Sequence, residues 1–208
     1  MCFYLYRIGC TEQESAVGLS LSCKHYRVCF RIMSLIDACN LLFEKANANQ
    51  AQAICDLVNL AYRGEQGWTN ESSIIQGNRT TPQEIELALV EPNAHFFVIN
   101  QLQQLIACVY IKKHINAVAY LGFFSVHPSF QGQGLGKYIL ERAEAFAVGQ
   151  MQAHKFVMFV VSQRTELIAF YRRRGYCPTG KIDLCPVSLG IPKISGLTIT
   201  YLEKKLTH

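Results

Sequence analysis

Between Val118 and Val161 a strand, a glycine-rich turn, an amphipathic helix and an apolar strand follow one another, and this order restricts the fold more than any other feature. Val118 to Val126 reads as a strand. Leu135, Ile139, Leu140, Ala143, Phe146 and Ala147 then recur at helical spacing up to Gly149. Phe156 to Val161 is a continuous run rich in Val and Phe, the pattern of a strand covered on both faces. Strand, helix and buried strand make a parallel crossover. Ahead of it, runs at 95–100 and 105–111 are joined to the Val118 strand by polar breaks at 101–104 and 113–116, too short for anything but an antiparallel meander.

The flanking segments have local signals of their own. Leu41 to Phe43 reads as a short strand, and Asn49 as the cap of a helix carrying Ala51, Ile54, Leu57, Val58 and Ala61 and ending near Gly64. Residues 65–80 form a polar loop around Trp68, the chain's one tryptophan. Thr81 with Glu84 is a capping box around Pro82, opening a helix through Val90. Glu166 to Arg174 is a second short helix stopped by Gly175, and strand character returns near Tyr176 and at Leu197 to Leu202. With 208 residues, half of them hydrophobic, the chain suffices for one well-cored domain, expected at 41–208. Residues 1–40 show no sustained period and hold five of the nine cysteines, so they read as an appendage; Met33 makes residues 1–32 a candidate upstream extension.

Twenty Lys and Arg against fifteen Asp and Glu leave a charge of +5, which suits small anionic ligands as readily as nucleic acid. No apolar run approaches the roughly 18–20 residues of a membrane span, and Arg7 interrupts the apolar N-terminus before a signal sequence can form. Nine cysteines without a CxxC pair indicate free thiols in a reducing, cytoplasmic setting. Cys23, His25 and Cys29 lack a second ligand pair, so no metal is expected.

The chemistry lies in the run from Ser125 to Lys137, with Gly132, Gly134 and Gly136 at alternate positions between strand and helix. Such a turn aims several backbone N–H groups into one concavity at a positive helix end, where a pyrophosphate fits, and Lys137 adds charge. A nucleoside triphosphate loop is excluded because Gln131 stands at its first glycine and Tyr138 at its hydroxyl position. A dinucleotide fingerprint is excluded because Lys137 occupies its third glycine.

The order strand, V-H-P, Q-G-Q-G-L-G-K, helix, buried strand and A-F-Y-R-R-R-G-Y resembles the GNAT acyltransferase superfamily. Gln131, Gly134 and Gly136 match its Q/R-x-x-G-x-G/A signature, and Tyr171, about 40 residues on, matches the tyrosine that faces the sulfur of coenzyme A. The resemblance covers Leu41 to Leu206 in element order and is strongest from Tyr120 to Tyr176. It implies an α/β fold with a mixed, mainly antiparallel central sheet, splayed at its centre and flanked by helices. It also implies acetyl-CoA as cosubstrate, bound by the backbones of Phe124, Ser125 and Val126 and by the turn Gln131, Gly132, Gln133, Gly134, Leu135, Gly136 and Lys137. A backbone N–H near Val126 would stabilise the oxyanion, and Tyr171 would act as general acid.

Two departures stand out. The stretch Tyr120 to Phe124 lacks the carboxylate that some members use as base, which leaves Glu65 or a water relay, while His127 before Pro128 reads as a turn residue. Arg164 stands where many members have asparagine, to cap the helix differently or reach the cofactor's phosphates. The function implied is direct acetyl transfer to a primary amine of a small molecule. Two alternatives are a non-catalytic acyl-CoA-binding module and an enzyme acting on a protein or RNA. Against the last, Arg172, Arg173 and Arg174 spread around a helix without forming a basic stripe. Acceptor choice is expected in the loop 63–80 and in the segment 185–195.

Overall fold

The computed structural model describes residues 41–206; the Cys23, His25 and Cys29 cluster and the appendage lie outside the described residues. Asn47 and Gln50 cap each other across a 3-10 turn that leads into α1 (Ala51–Arg63). The cap is therefore Asn47 in place of the expected Asn49, whose N–H is the group Asn47 Oδ1 accepts, at 3.0 Å. The capping box of Thr81 and Glu84 opens α2 (Pro82–Val90) as its sequence requires. The first strand, β1 (Phe43–Lys45), sits two residues later than expected, with Phe43 stacked on Phe97 at 4.4 Å.

The meander is β3 (Ala94–Gln101), β4 (Gln104–His114) and β5 (Val118–Val126), followed by α3 (Leu135–Met151), β6 (Lys155–Val161) and α4 (Thr165–Arg172). Helix α3 continues past Gly149 because Met151 is buried, and Gln152 ends it in a left-handed turn at φ 56°. Helix α4 ends at Arg172, two residues short of the expected Arg174, and Gly175, at φ 88°, turns the chain after it. Two elements were not foreseen: β2 (Ile75–Gln76) pairs with β8 (Ile191–Pro192) as a separate ribbon. The chain ends in β7 (Cys177–Leu184), an exposed edge strand, and β9 (Thr198–Lys205).

The main sheet has seven strands in the order β1-β3-β4-β5-β6-β9-β7, all antiparallel neighbours except β5 and β6. Side chains alternate across it with the period of the pleat. Phe97, Ile99, Val109 and Ile111 face Ile139, Ala143 and Ala147 of α3. Phe96, Val98, Cys108 and Tyr110 face Ile54, Leu57 and Val58 of α1 and Ile85 of α2. Both faces of the sheet are thus covered, which is why the runs Phe96 to Ile99 of β3 and Phe156 to Val161 of β6 are apolar without interruption. Glu144 of α3 accepts from Tyr176 Oη at 2.8 Å and from Lys204 Nζ at 2.6 Å, tying α3 to the residues after α4 and to β9. Among the described residues no helix is long and apolar enough to cross a membrane.

Candidate active site

The two parallel strands at the sheet's centre pair only at their start, Val118 with Lys155, Ala119 with Phe156 and Tyr120 with Val157, and then separate. The cause lies in β5. Cys108 faces Ser125 and Tyr110 faces Gly122, so Phe123 and Phe124 together oppose Val109 in a bulge, with Phe123 at φ 46°. A bulge bends and twists its strand, and here it carries the end of β5 away from β6. Gly122 permits the bend because the Tyr120 ring lies over it; a Cβ there would stand 2.8 Å from Tyr120 Cε1.

Beyond the bulge, His127 N–H donates to the Ile106 carbonyl at 2.8 Å. Peptide groups alternate along a strand, so those of Phe124 and Val126 face the gap left by β6. Gln131 Nε2 donates to the Val126 carbonyl at 2.9 Å, leaving the Val126 N–H directed into the gap. Among the described residues the buried Ser125 Oγ has no hydrogen-bond partner. His127 Nδ1 accepts from Ser129 N–H at 3.3 Å and so shapes the turn.

The turn then delivers the start of α3 with nothing covering it. Gly134 is the N-cap residue at φ 89° with no side-chain cap, and the first helical bond runs from Tyr138 N–H to the Gly134 carbonyl. The N–H groups of Leu135, Gly136 and Lys137 therefore have no intrahelical acceptor. Gly132, at φ 74°, and Gly134 would each place a Cβ in open space, so backbone conformation and an unobstructed approach are what they supply. Gln133 braces the turn through Nε2 to the Ser129 carbonyl at 2.9 Å.

A cleft of about 350 Å³ runs along this surface, bounded by Ser125, Val126, Gly132, Gly134, Gly136 and Lys137 on one side and by Phe170, Arg173 and Arg174 of the α4 end on the other. Lys137, Arg164, Arg173 and Arg174 line it and no carboxylate does, which makes it an anion site. Arg174 stacks 3.5 Å over the Phe170 ring and donates to its carbonyl at 2.7 Å. Of the three consecutive arginines, two line the cleft. Trp68 borders the cleft: its backbone N–H donates to Gln131 Oε1 at 2.7 Å, and its ring meets Phe170 edge-on at 6.0 Å, the residue being 47% exposed.

Tyr62, Phe124, Arg164 and Leu167 line both this cleft and a smaller pocket of about 40 Å³ between the separated strands. Tyr171 is in the smaller pocket, 4% exposed, its ring 6.1 Å from Phe124. Burial pushes its phenol well above the ordinary value, against a partial pull downward from Arg164 and Arg174. The proton therefore stays on Tyr171 across the neutral range.

Glu65 is exposed and lines neither cavity, so the structure does not bring it together with Tyr171 and the turn. The carboxylate that does line the smaller pocket is Glu71, six residues farther along the same loop. It is buried and held by two arginines: Arg164 Nη1 reaches Oε1 at 2.8 Å, and Arg63 pairs with Oε2. Arg164 is the N-cap residue of α4 but its side chain makes no capping bond; while lining the cleft, that side chain fastens the 63–80 loop to the start of α4, with Thr69 as a second anchor. Sequence reasoning also passed over Tyr62, Arg79 and Tyr120, which carry no local signal and meet only across the fold. Among the described residues no three His, Cys, Asp or Glu side chains converge as metal ligands.

The acetyltransferase (GNAT) family matches residues 52–176. No curated protein matches the chain. Among solved structures, a protein proposed to be a phosphinothricin N-acetyltransferase superposes with a TM-score of 0.61 at 14% identity, over 81% of this chain and 100% of that one. A GNAT-family acetyltransferase from Streptococcus pneumoniae gives 0.59 at 14%, over 81% and 100%. A variant of spermidine N-acetyltransferase SpeG from Vibrio cholerae gives 0.59 at 17%, over 79% and 95%. At these identities the likeness extends to the fold, a mixed sheet flanked by helices. The family match spans more than half of the chain, and this protein belongs to the acetyltransferase (GNAT) family.

Proposed function

We propose that the protein transfers an acetyl group from acetyl-CoA directly to a primary amine of a small molecule, in a reducing, cytoplasmic setting. One observation carries this reading: an uncapped, glycine-rich helix start borders the cleft, a buried tyrosine lines the smaller pocket, and the two cavities share Tyr62, Phe124, Arg164 and Leu167 as walls beside the gap in the sheet. Acetyl-CoA supplies the activated thioester when bound. The N–H groups of Leu135, Gly136 and Lys137 hold the pyrophosphate, with Lys137, Arg173 and Arg174 as its counter-charges. Gly132 and Gly134 keep the approach open, and Gln131 and Gln133 brace the turn. The backbones of Phe124 and Val126 pair with the pantetheine arm in the place β6 has left, beside the unpartnered Ser125 Oγ.

The amine nitrogen attacks the thioester carbonyl and the C–N bond forms. The Val126 N–H receives the charge developing on the carbonyl oxygen, an interaction whose loss in other enzymes costs about 2.7–4 kcal/mol. As the C–S bond breaks, Tyr171 Oη donates its proton to the departing thiolate, and Arg164 stabilises the charge left on the phenol. The proton lost by the amine goes to water, since Glu65 is exposed and Glu71 is engaged by two arginines, and water returns a proton to the Tyr171 phenolate. Tyr171→Phe tests the assignment: thiol release should fall by roughly 10²–10⁴ while acetyl-CoA affinity is kept. Equal turnover in both forms would remove Tyr171 from the mechanism, and acetyl-CoA binding without turnover in either form would favour a non-catalytic acyl-CoA-binding module.

A further inference from the structure

We infer that the acceptor carries a carboxylate close to its reacting amine, and that Arg79 is the residue that selects it. The inference rests on the reading of the site given above and names the class of substrate that site takes.

Arg79 and Arg164 line the smaller pocket, and Arg63 pairs with the Glu71 that also lines it; Arg63 and Arg164 are committed. Arg63 holds Glu71 Oε2, the Gly77 carbonyl at 2.9 Å and the Leu189 carbonyl. Arg164 holds Glu71 Oε1 at 2.8 Å and Thr69 through its other nitrogens at 3.3 and 3.4 Å. Both oxygens of Glu71 are thereby taken, and no other carboxylate lines the pocket. Arg79 differs. Its backbone N–H is fixed by Asn59 Oδ1 at 2.7 Å, but its guanidinium makes no ion pair among the described residues and stands 5.5 Å over the Tyr62 ring and 4.9 Å over the Phe123 ring.

An arginine stacked between two aromatic faces keeps its planar fork pre-organised for a bidentate anion. The same charge count excludes the opposite class. A polyamine would bring two or more positive charges beside Arg79 and Arg164 with no free carboxylate to receive them. An amine bearing a carboxylate presents one charge of each sign: the carboxylate meets Arg79, and the nitrogen, once neutral, meets the Val126 N–H side of the gap. Because Arg79 and Tyr171 line the same small pocket, the two groups of the acceptor are separated by a few bonds, as in α-, β- or γ-amino acids.

The test is a panel of L-α-amino acids, β-alanine and 4-aminobutyrate, each run beside its carboxamide or its decarboxylated amine, with spermidine as the polycation. Thiol release is followed with the full chain, and acetyl-CoA binding is measured separately by calorimetry. At least one carboxylate-bearing acceptor should exceed its uncharged counterpart by tenfold or more in kcat/KM. Arg79→Gln should bring that ratio to near one, chiefly through KM, with Arg79→Lys intermediate; a merely structural role would lower both members of a pair together. Preference for carboxamides or spermidine, or a ratio unmoved by Arg79→Gln, overturns the inference. So does a panel in which acetyl-CoA binds and no carboxylate-bearing amine reacts. Failure to bind acetyl-CoA would instead overturn the proposed function itself.

Discussion

The sharpest prediction sets one substitution at two glycines of the same helix. At Gly134, φ is 89° and an added Cβ meets nothing within 4 Å, so Gly134→Ala has room and its cost is conformational alone. Holding an L residue in that region costs about 1–2 kcal/mol. At Gly149, exposed in the last turns of α3 with equal room for a Cβ, Ala removes the helix penalty of glycine and adds at most about 0.5–1 kcal/mol of stability. For a chain of this size 1 kcal/mol moves Tm by about 2–4 °C. Gly134→Ala should therefore melt about 2–8 °C lower and Gly149→Ala up to about 4 °C higher. If the strain is relieved by rotating the turn, the N–H groups at the start of α3 lose their aim. One charge-assisted hydrogen bond contributes about 1.5–3 kcal/mol, so acetyl-CoA affinity should fall by roughly ten- to hundredfold in Gly134→Ala and stay unchanged in Gly149→Ala. Calorimetric unfolding and titration with acetyl-CoA read both effects. A Gly134→Ala protein that melts at or above the wild type and binds acetyl-CoA equally would refute the argument that this glycine's conformation builds the phosphate cradle.

Further outcomes follow from the same geometry. The rate should rise with pH as the acceptor amine loses its proton, with no falling limb below about pH 10, because burial moves the Tyr171 phenol upward and the acid form persists; a falling limb near pH 8–9 that Tyr171→Phe abolishes would contradict this. Glu71→Ala leaves two buried arginines uncompensated and should destabilise the fold by about 3–5 kcal/mol in urea unfolding; a loss under about 1 kcal/mol would mean the pair is solvated. Trp68, the one tryptophan, borders the cleft, so saturating acetyl-CoA should change its emission. An unaltered spectrum in a protein that binds by calorimetry would place the loop away from the ligand.

The elements were legible where their cause is local. Thr81 and Glu84 satisfy each other's backbone whatever surrounds them, and the 3.6-residue period of α1 and α3 survives into the structure because one face of each is buried. A boundary slipped where a tertiary contact intervened: burial of Met151 prolongs α3 past Gly149. The glycine turn is legible from residue type and spacing, and Tyr171 only through the family resemblance; the turn borders the cleft and Tyr171 lines the smaller pocket beside it. Glu65 was chosen for being the first carboxylate after α1, a criterion blind to which way the loop faces, and Arg164 was read as a cap or a phosphate ligand because its partners lie in another part of the chain.

The order of strands and helices, the parallel crossover and the glycine turn follow from local sequence, since each depends on side-chain periodicity or backbone freedom within a few residues. Only the tertiary structure decided the separation of β5 from β6, the double anchoring of Glu71 and the uncommitted guanidinium of Arg79. Arg164 and Glu71 are 93 positions apart, and Arg63 and Leu189 are 126 apart. Whether a charge is neutralised depends on what packs against it, and no local pattern records a partner at that distance.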